Sequence, residues 1–154
     1  MFKALMLDTK DGSMAAEVRE LDTEDLPDAD VLVSVLYSSL NYKDGLAVTG
    51  KGKIIRGDFP FIPGIDLVGR VEASASSKWK PGDHDVQTGG ALGETTWGGY
   101  SQKQRLSGEA LVHLPEAMSP LRAMVLGTAG YTAALSVHLL EQRGLQPGDG
   151  PVLV

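Results

Sequence analysis

The chain has 154 residues, 42% of them hydrophobic and 22% charged, which suits one soluble globular domain and not a disordered protein. A net charge of −6 argues against broad nucleic-acid or anionic-membrane binding, and the absence of cysteine excludes disulfides and every cysteine-ligated zinc site while suiting a reducing compartment. No apolar run approaches the ~20 residues of a membrane span, and the charged N-terminus MFKALMLDTKDG is not a signal peptide, so no membrane partner is expected.

In chain order the first 115 or so residues read as β. Phe2 to Leu7 is an apolar strand, Asp11-Gly12 a turn, and Met14 to Leu21 a returning strand. Val31 to Tyr37 carries the clearest alternation, with Val31, Val33, Val35 and Tyr37 on one face. Leu32 and Leu36 on the other face predict burial on both sides. Ile65 to Ala73 follows the Pro63-Gly64 turn, and His84 to Thr88 follows Pro81-Gly82-Asp83. In that last strand polar Asp85 and Gln87 predict a half-exposed position. Gly99 to Leu106 and Ala110 to Leu114 complete the set, and short strands punctuated by 19 glycines and 8 prolines imply a closed or partly closed barrel.

At Ser119-Pro120 the pattern becomes helical, with a hydroxyl N-cap and proline in the first turn. Gly127 interrupts this helix and Thr128 can cap a second one, apolar on more than one side and so expected to be buried. The helix ends near Gly144, and Gly148 to Val154 reads as a turn entering a buried strand. Helix, loop and strand open a parallel α/β unit, where a glycine-rich phosphate loop normally follows. The expected organisation is therefore a β domain over 1–118, bridging helices over 119–143 and the start of a nucleotide-binding domain over 144–154, whose remainder is absent.

Three segments could carry chemistry: Ser38-Ser39-Leu40-Asn41-Tyr42-Lys43-Asp44, Phe61-Ile62-Pro63-Gly64-Ile65-Asp66, and Gly127 to Ala133. On residue types alone, Asn41 and Asp44 suit a tight turn held by side-chain-to-backbone bonds. Asn41, Tyr42 and Lys43 also offer an amide, a phenol and an ammonium on a loop. Residues 43–56 hold four Lys or Arg and one Asp, a net +3 within an acidic chain. Lys51, Lys53 and Arg56 are thus either a solvated face or a phosphate-binding run. His84, His113 and His138 share no ligand spacing, so no metal site is expected.

The order of these segments, with Pro81-Gly82-Asp83 and Trp97-Gly98-Gly99-Tyr100 between them, resembles the medium-chain dehydrogenase/reductase superfamily. SSLNYKD, TGKGKIIR and FPFIPGID are similar to its zinc-free, quinone oxidoreductase-like branch, in particular the YhdH/AcuI-type NADPH-dependent acrylyl-CoA reductases. Zinc-dependent members place a cysteine near Asn41 and a His-Glu pair where Ile65-Asp66 stands; neither is present. The resemblance implies a GroES-like, partly open β-barrel followed by bridging helices and the first strand of a truncated Rossmann domain. It implies a cytoplasmic enzyme, homodimeric when whole, that uses NADPH to reduce the activated C=C bond of an acrylyl-CoA-like enoyl thioester, with a quinone or a non-catalytic binding role as alternatives.

The resemblance also implies roles for single residues. Tyr42 and Asn41 would be catalytic and cofactor-binding, Thr128 would lie near the nicotinamide, and Lys51, Lys53 and Arg56 would meet the substrate. This sequence departs from the family after Pro81-Gly82-Asp83. His84 to Gly90 replaces an apolar strand and a Thr-Gly-Trp-Gly turn, so that Gly90 stands where a large aromatic is usual.

Overall fold

The computed structural model describes residues 1–152. Strands β1 (Phe2–Lys10) and β2 (Ser13–Leu21) form a hairpin in which Lys10 faces Ser13. The two residues between them have positive φ, 51° at Asp11 and 75° at Gly12, the backbone that tight hairpins demand. Strands β3 (Val31–Ser38), β4 (Asp66–Ser74), β5 (His84–Thr88), β6 (Lys103–Leu106) and β7 (Val112–His113) form one antiparallel sheet in the order β6-β3-β4-β5-β7. The hairpin curls against the β6 edge and the 59–65 segment through backbone bonds, Leu5 N to Tyr100 O at 2.9 Å and Leu7 N to Phe61 O at 2.7 Å. The sheets bend toward each other but stay open.

Two apolar clusters fill the space between them. One joins Val31, Val33, Leu67, Val71, Trp79, Leu92, Leu106 and Leu111; the other joins Phe2, Ala4, Met6, Leu26 and Ile62. A third forms where Ala123 and Met124 pack on Val68. Burying side chains of this size contributes roughly 1.5–3 kcal/mol each. Trp79 adds a polar tie, its indole N–H donating to Gly108 O at 2.9 Å.

Several expectations are corrected. Residues 42–49 are not a loop but helix α1 (Tyr42–Thr49). The alternation in β3 breaks at two irregularities, Leu32/Val33 and Val35/Tyr37, which leaves Leu36 and Tyr37 exposed instead of burying both faces. The strand expected over Gly99 to Leu106 is regular only from Lys103. Asp85 and Gln87, expected at a half-exposed position, are both buried, because they share the face of β5 that turns inward, with Asp85 opposite Gly69 and close to Val33. Asp85 is 0% exposed, and neither carboxylate oxygen has a hydrogen-bond partner.

Helix α2 (Pro120–Gln142) starts as predicted, with Ser119 Oγ accepting from Arg122 N and proline in the first turn. It breaks at Gly127. Its second half was expected to be buried, yet residues 131–140 are exposed along their length, because within this chain the sheet reaches only the first half. By length and composition α2 is also apolar enough to cross a membrane, contrary to the expectation that no such stretch exists. Only its first half packs on the sheet, through Ala123, Met124 and Gly127. Of the expected strand at 152–154, Val152 is not in a strand, and residues 153–154 lie outside the described part.

Candidate functional site

At the start of β4 the Asp66 side chain is fully buried, and three segments meet on it. Ser39 Oγ donates to Oδ2 at 2.5 Å, Asn41 Nδ2 to Oδ2 at 3.0 Å, Thr128 N–H to Oδ2 at 2.9 Å and Thr128 Oγ1 to Oδ1 at 2.5 Å. Burial alone would raise the Asp66 pKa, but the hydrogen bonds from Ser39, from the Thr128 backbone and side chain, and from Asn41 outweigh it and hold the carboxyl below its ordinary value. The carboxylate is thus an ionised hub among donors. A metal there would have to displace them, and among the described residues no three His, Asp or Glu side chains converge.

A second buried carboxylate sets the loop geometry. Asp44 Oδ2 accepts the Asn41 N–H at 2.8 Å, which closes a capping box at the start of α1, and Oδ1 accepts the Ile65 N–H at 3.0 Å. Asp44 therefore has the structural role its spacing suggested, as the start of a helix. The Tyr100 hydroxyl, donating to Ser39 O at 3.1 Å, is kept from ionising by burial and by the negative charges of Asp44 and Asp66.

Gly127 is where α2 bends to deliver Thr128 to this hub. Its φ is 49°, and a Cβ there would lie 2.7 Å from Asp66 Oδ2. Gly127→Ala should therefore lower stability by about 2 kcal/mol and the melting temperature by roughly 5 °C, checked by thermal unfolding at neutral pH.

Asn41 and Thr128 are thus brought together, both half-buried, by a residue that sequence reasoning treated only as a lone and insufficient zinc ligand. Tyr42, the first residue of α1, projects outward and is 85% exposed beside Leu40 at 81%. Lys51 and Lys53 are exposed in the segment after α1. Arg56 is not a free cation: it and Lys43 flank Glu94, with Lys43 Nζ 2.6 Å from Oε1. The Lys43 hydrogen bond and charge, with those of Arg56, hold the Glu94 carboxyl below its ordinary range. Ser39, Asp66, Glu94 and Tyr100 are the functional candidates that the sequence reading missed.

A groove of about 720 Å³ runs between β5, β7 and α2, bounded by Val86, Gln87, Gly90, Met118, Leu126 and Tyr131.

The open, largely antiparallel barrel followed by a helix has the GroES-like architecture of the medium-chain dehydrogenases/reductases. The chain belongs to the alcohol dehydrogenase GroES-like domain family, whose model matches residues 27–116. It is 47% identical over 152 residues to the probable acrylyl-CoA reductase AcuI of Escherichia coli strain K12, covering 99% of this chain and 47% of that protein. It is 46% identical over 154 residues to the putative quinone oxidoreductase YhfP of Bacillus subtilis strain 168, covering 100% of this chain and 46% of the relative. Among solved structures, the YhdH oxidoreductase from Salmonella enterica in complex with NADP superposes with a TM-score of 0.93 at 49% identity, over 96% of this chain and 45% of that one. The chain spans about half the length of the curated relatives it matches.

Proposed function

We propose that the chain is the catalytic-domain portion of an NADPH-dependent reductase that saturates the activated C=C bond of a short enoyl thioester such as acrylyl-CoA. The observation that carries this reading is the 47% identity over 99% of the chain to a probable acrylyl-CoA reductase. The YhdH relative solved with NADP supports the cofactor. The residues fit that group: Asn41 and Thr128 are half-buried, aligned on one ionised carboxylate, with the exposed Tyr42 next to them.

When bound, the nicotinamide supplies a hydride to the β-carbon of the enoyl group. The electron pair moves to the thioester oxygen as an enolate, and a proton then adds at the α-carbon. The chain's own contribution would be to hold the cofactor with Asn41 and Thr128, to offer the Tyr42 hydroxyl to the developing oxygen, and to attract the anionic substrate with Lys51 and Lys53. Arg56 shares that last role only through its balance with Glu94. We place the whole enzyme in the cytoplasm, as a homodimer.

Joining this chain to the nucleotide-binding half of the E. coli relative gives an enzyme in which NADPH oxidation can be followed. It should consume acrylyl-CoA in preference to quinones; the reverse preference would establish the quinone reductase reading that the YhfP relative favours. In the same enzyme Lys53→Ala should raise KM for the CoA thioester by roughly threefold to tenfold while leaving small uncharged enones unaffected. Equal effects on both substrates would show that the lysine is only a solvated surface charge.

A further inference from the structure

We propose that the cavity at the end of β5, bordered by Gln87 and Gly90, is a binding site in its own right for a small uncharged planar ring carrying a carbonyl, with the ring beside Phe61 and Trp97 and the carbonyl oxygen on the Gln87 side-chain amide. The site goes beyond the reductase reading and does not depend on it.

The cavity measures about 370 Å³ and lies where three successive residues with positive φ, 61° at Gly89, 62° at Gly90 and 79° at Ala91, turn the chain after β5. Its apolar lining comes from the buried Phe61 and Leu106 and the half-buried Trp97. Gly90 keeps the inside open, since a Cβ there would meet only Gln87 Nε2, at 3.9 Å. None of Ser39, Asn41, Asp66 and Thr128 lines this space, so it is distinct from the carboxylate hub.

Gln87 gives the cavity its chemical preference. The residue is 6% exposed. A primary amide can donate two hydrogen bonds and accept two. Among the described residues this one makes a single long bond, from Nε2 to Gly89 O at 3.4 Å, and Oε1 accepts none. One Nε2 proton is therefore free, on the atom that borders the open side of Gly90. Burying an amide without partners is unfavourable, and a ligand carbonyl on that proton restores a bond that burial removed. The aromatic and aliphatic lining favours a flat ring. Charge is disfavoured. Asp28 and Asp58 are exposed at the rim, and Arg105 there already faces Asp28 at 3.7 Å and donates to Thr23 O at 3.3 Å. An anion would meet two carboxylates, and a cation would leave water for an apolar interior.

The chain itself provides the test. Acetophenone and α-methylstyrene, in which C=CH2 replaces the C=O of the same planar molecule, are titrated separately while NMR follows the Gln87 side-chain amide and the Trp97 indole N–H. Acetophenone should shift both signals saturably and leave the Asn41 side-chain amide unmoved. Gln87→Leu exchanges a buried, underbonded amide for an aliphatic side chain of similar size, and its fold is checked by circular dichroism. In it the ratio of acetophenone to α-methylstyrene affinity should fall about tenfold. Ala110→Phe fills the cavity from an exposed lining position and should weaken both ligands by about tenfold or more. This second variant carries the test if Gln87→Leu does not fold.

No saturable shift in wild type, an affinity ratio unchanged in folded Gln87→Leu, or wild-type binding by Ala110→Phe would overturn the assignment. These readings need neither NADPH nor turnover, so failure of the joined enzyme to reduce any enone would count against the reductase reading alone.

Discussion

Asp85→Val should stabilise the chain, and the gain should grow with pH. Burial with no partner pushes the Asp85 carboxyl up to about 7, opposed only by its own backbone amide, which makes no bond of ordinary geometry. The sign follows from proton linkage. Between the unfolded value of 3.8 and the folded value near 7, the folded state holds a proton that the unfolded state has lost. Wild-type stability from this group is therefore greatest below about pH 4, falls as pH rises, and levels off above about 7. The full loss is on the order of 4 kcal/mol.

Asp66, Glu72 and Glu94 are shifted the other way and lose stability as pH falls, so the difference between variant and wild type is the quantity to read. Denaturant unfolding should give an advantage for Asp85→Val of about 1–3 kcal/mol at pH 4, where only the unpaired neutral carboxyl is removed, and several kcal/mol more at pH 8. Asp85→Asn should flatten the pH dependence while regaining less stability, because a polar group stays buried. An advantage that does not change with pH would mean that Asp85 finds a partner in solution.

The strands were legible in the sequence because period two and the glycine and proline turns are local signals. Each strand of the main sheet was found, although β6 begins four residues later than expected because the segment before it divides its backbone bonds between β1, at Lys3 and Leu5, and β3, at Val35. Helix α1 was not legible. YKDGLAVT contains a glycine, a valine and a threonine and shows no apolar stripe, so its one helical signature is the reciprocal pairing of Asn41 and Asp44, which reads equally well as a turn. For α2 the apolar faces were visible, but a pattern states what a helix can bury and not what covers it.

The site fails to show in the sequence for a different reason. Asp66 gathers partners 25 to 62 residues away, and only the β3–β4 register and the bend at Gly127 make them neighbours. Asp85 illustrates the same limit inside one strand. Alternation puts it on one face of β5, but its position opposite Gly69, next to Val33, is what makes that face the interior.

Asn41 Nδ2 is held by Ser39 Oγ and Asp66 Oδ2, whereas the Tyr42 hydroxyl beside it is exposed, so substitution of Tyr42 should have the largest functional effect. In the joined enzyme Tyr42→Phe should lower kcat by up to about 10²-fold, the usual cost of removing one donor to a developing oxyanion. NADPH affinity should stay near wild type, since the ring remains. Tyr42→Ala should lower kcat similarly and weaken NADPH binding as well, because it removes the ring contact. The exposed setting of Tyr42, at the first position of α1 and without a side-chain hydrogen bond among the described residues, argues against a folding role, so both variants should unfold at the wild-type temperature. Single-turnover measurements separate the two effects by reading hydride transfer apart from cofactor binding. Wild-type rates in Tyr42→Phe would pass the donor role to a backbone N–H or to a group of the cofactor, and wild-type cofactor affinity in Tyr42→Ala would remove the residue from the site.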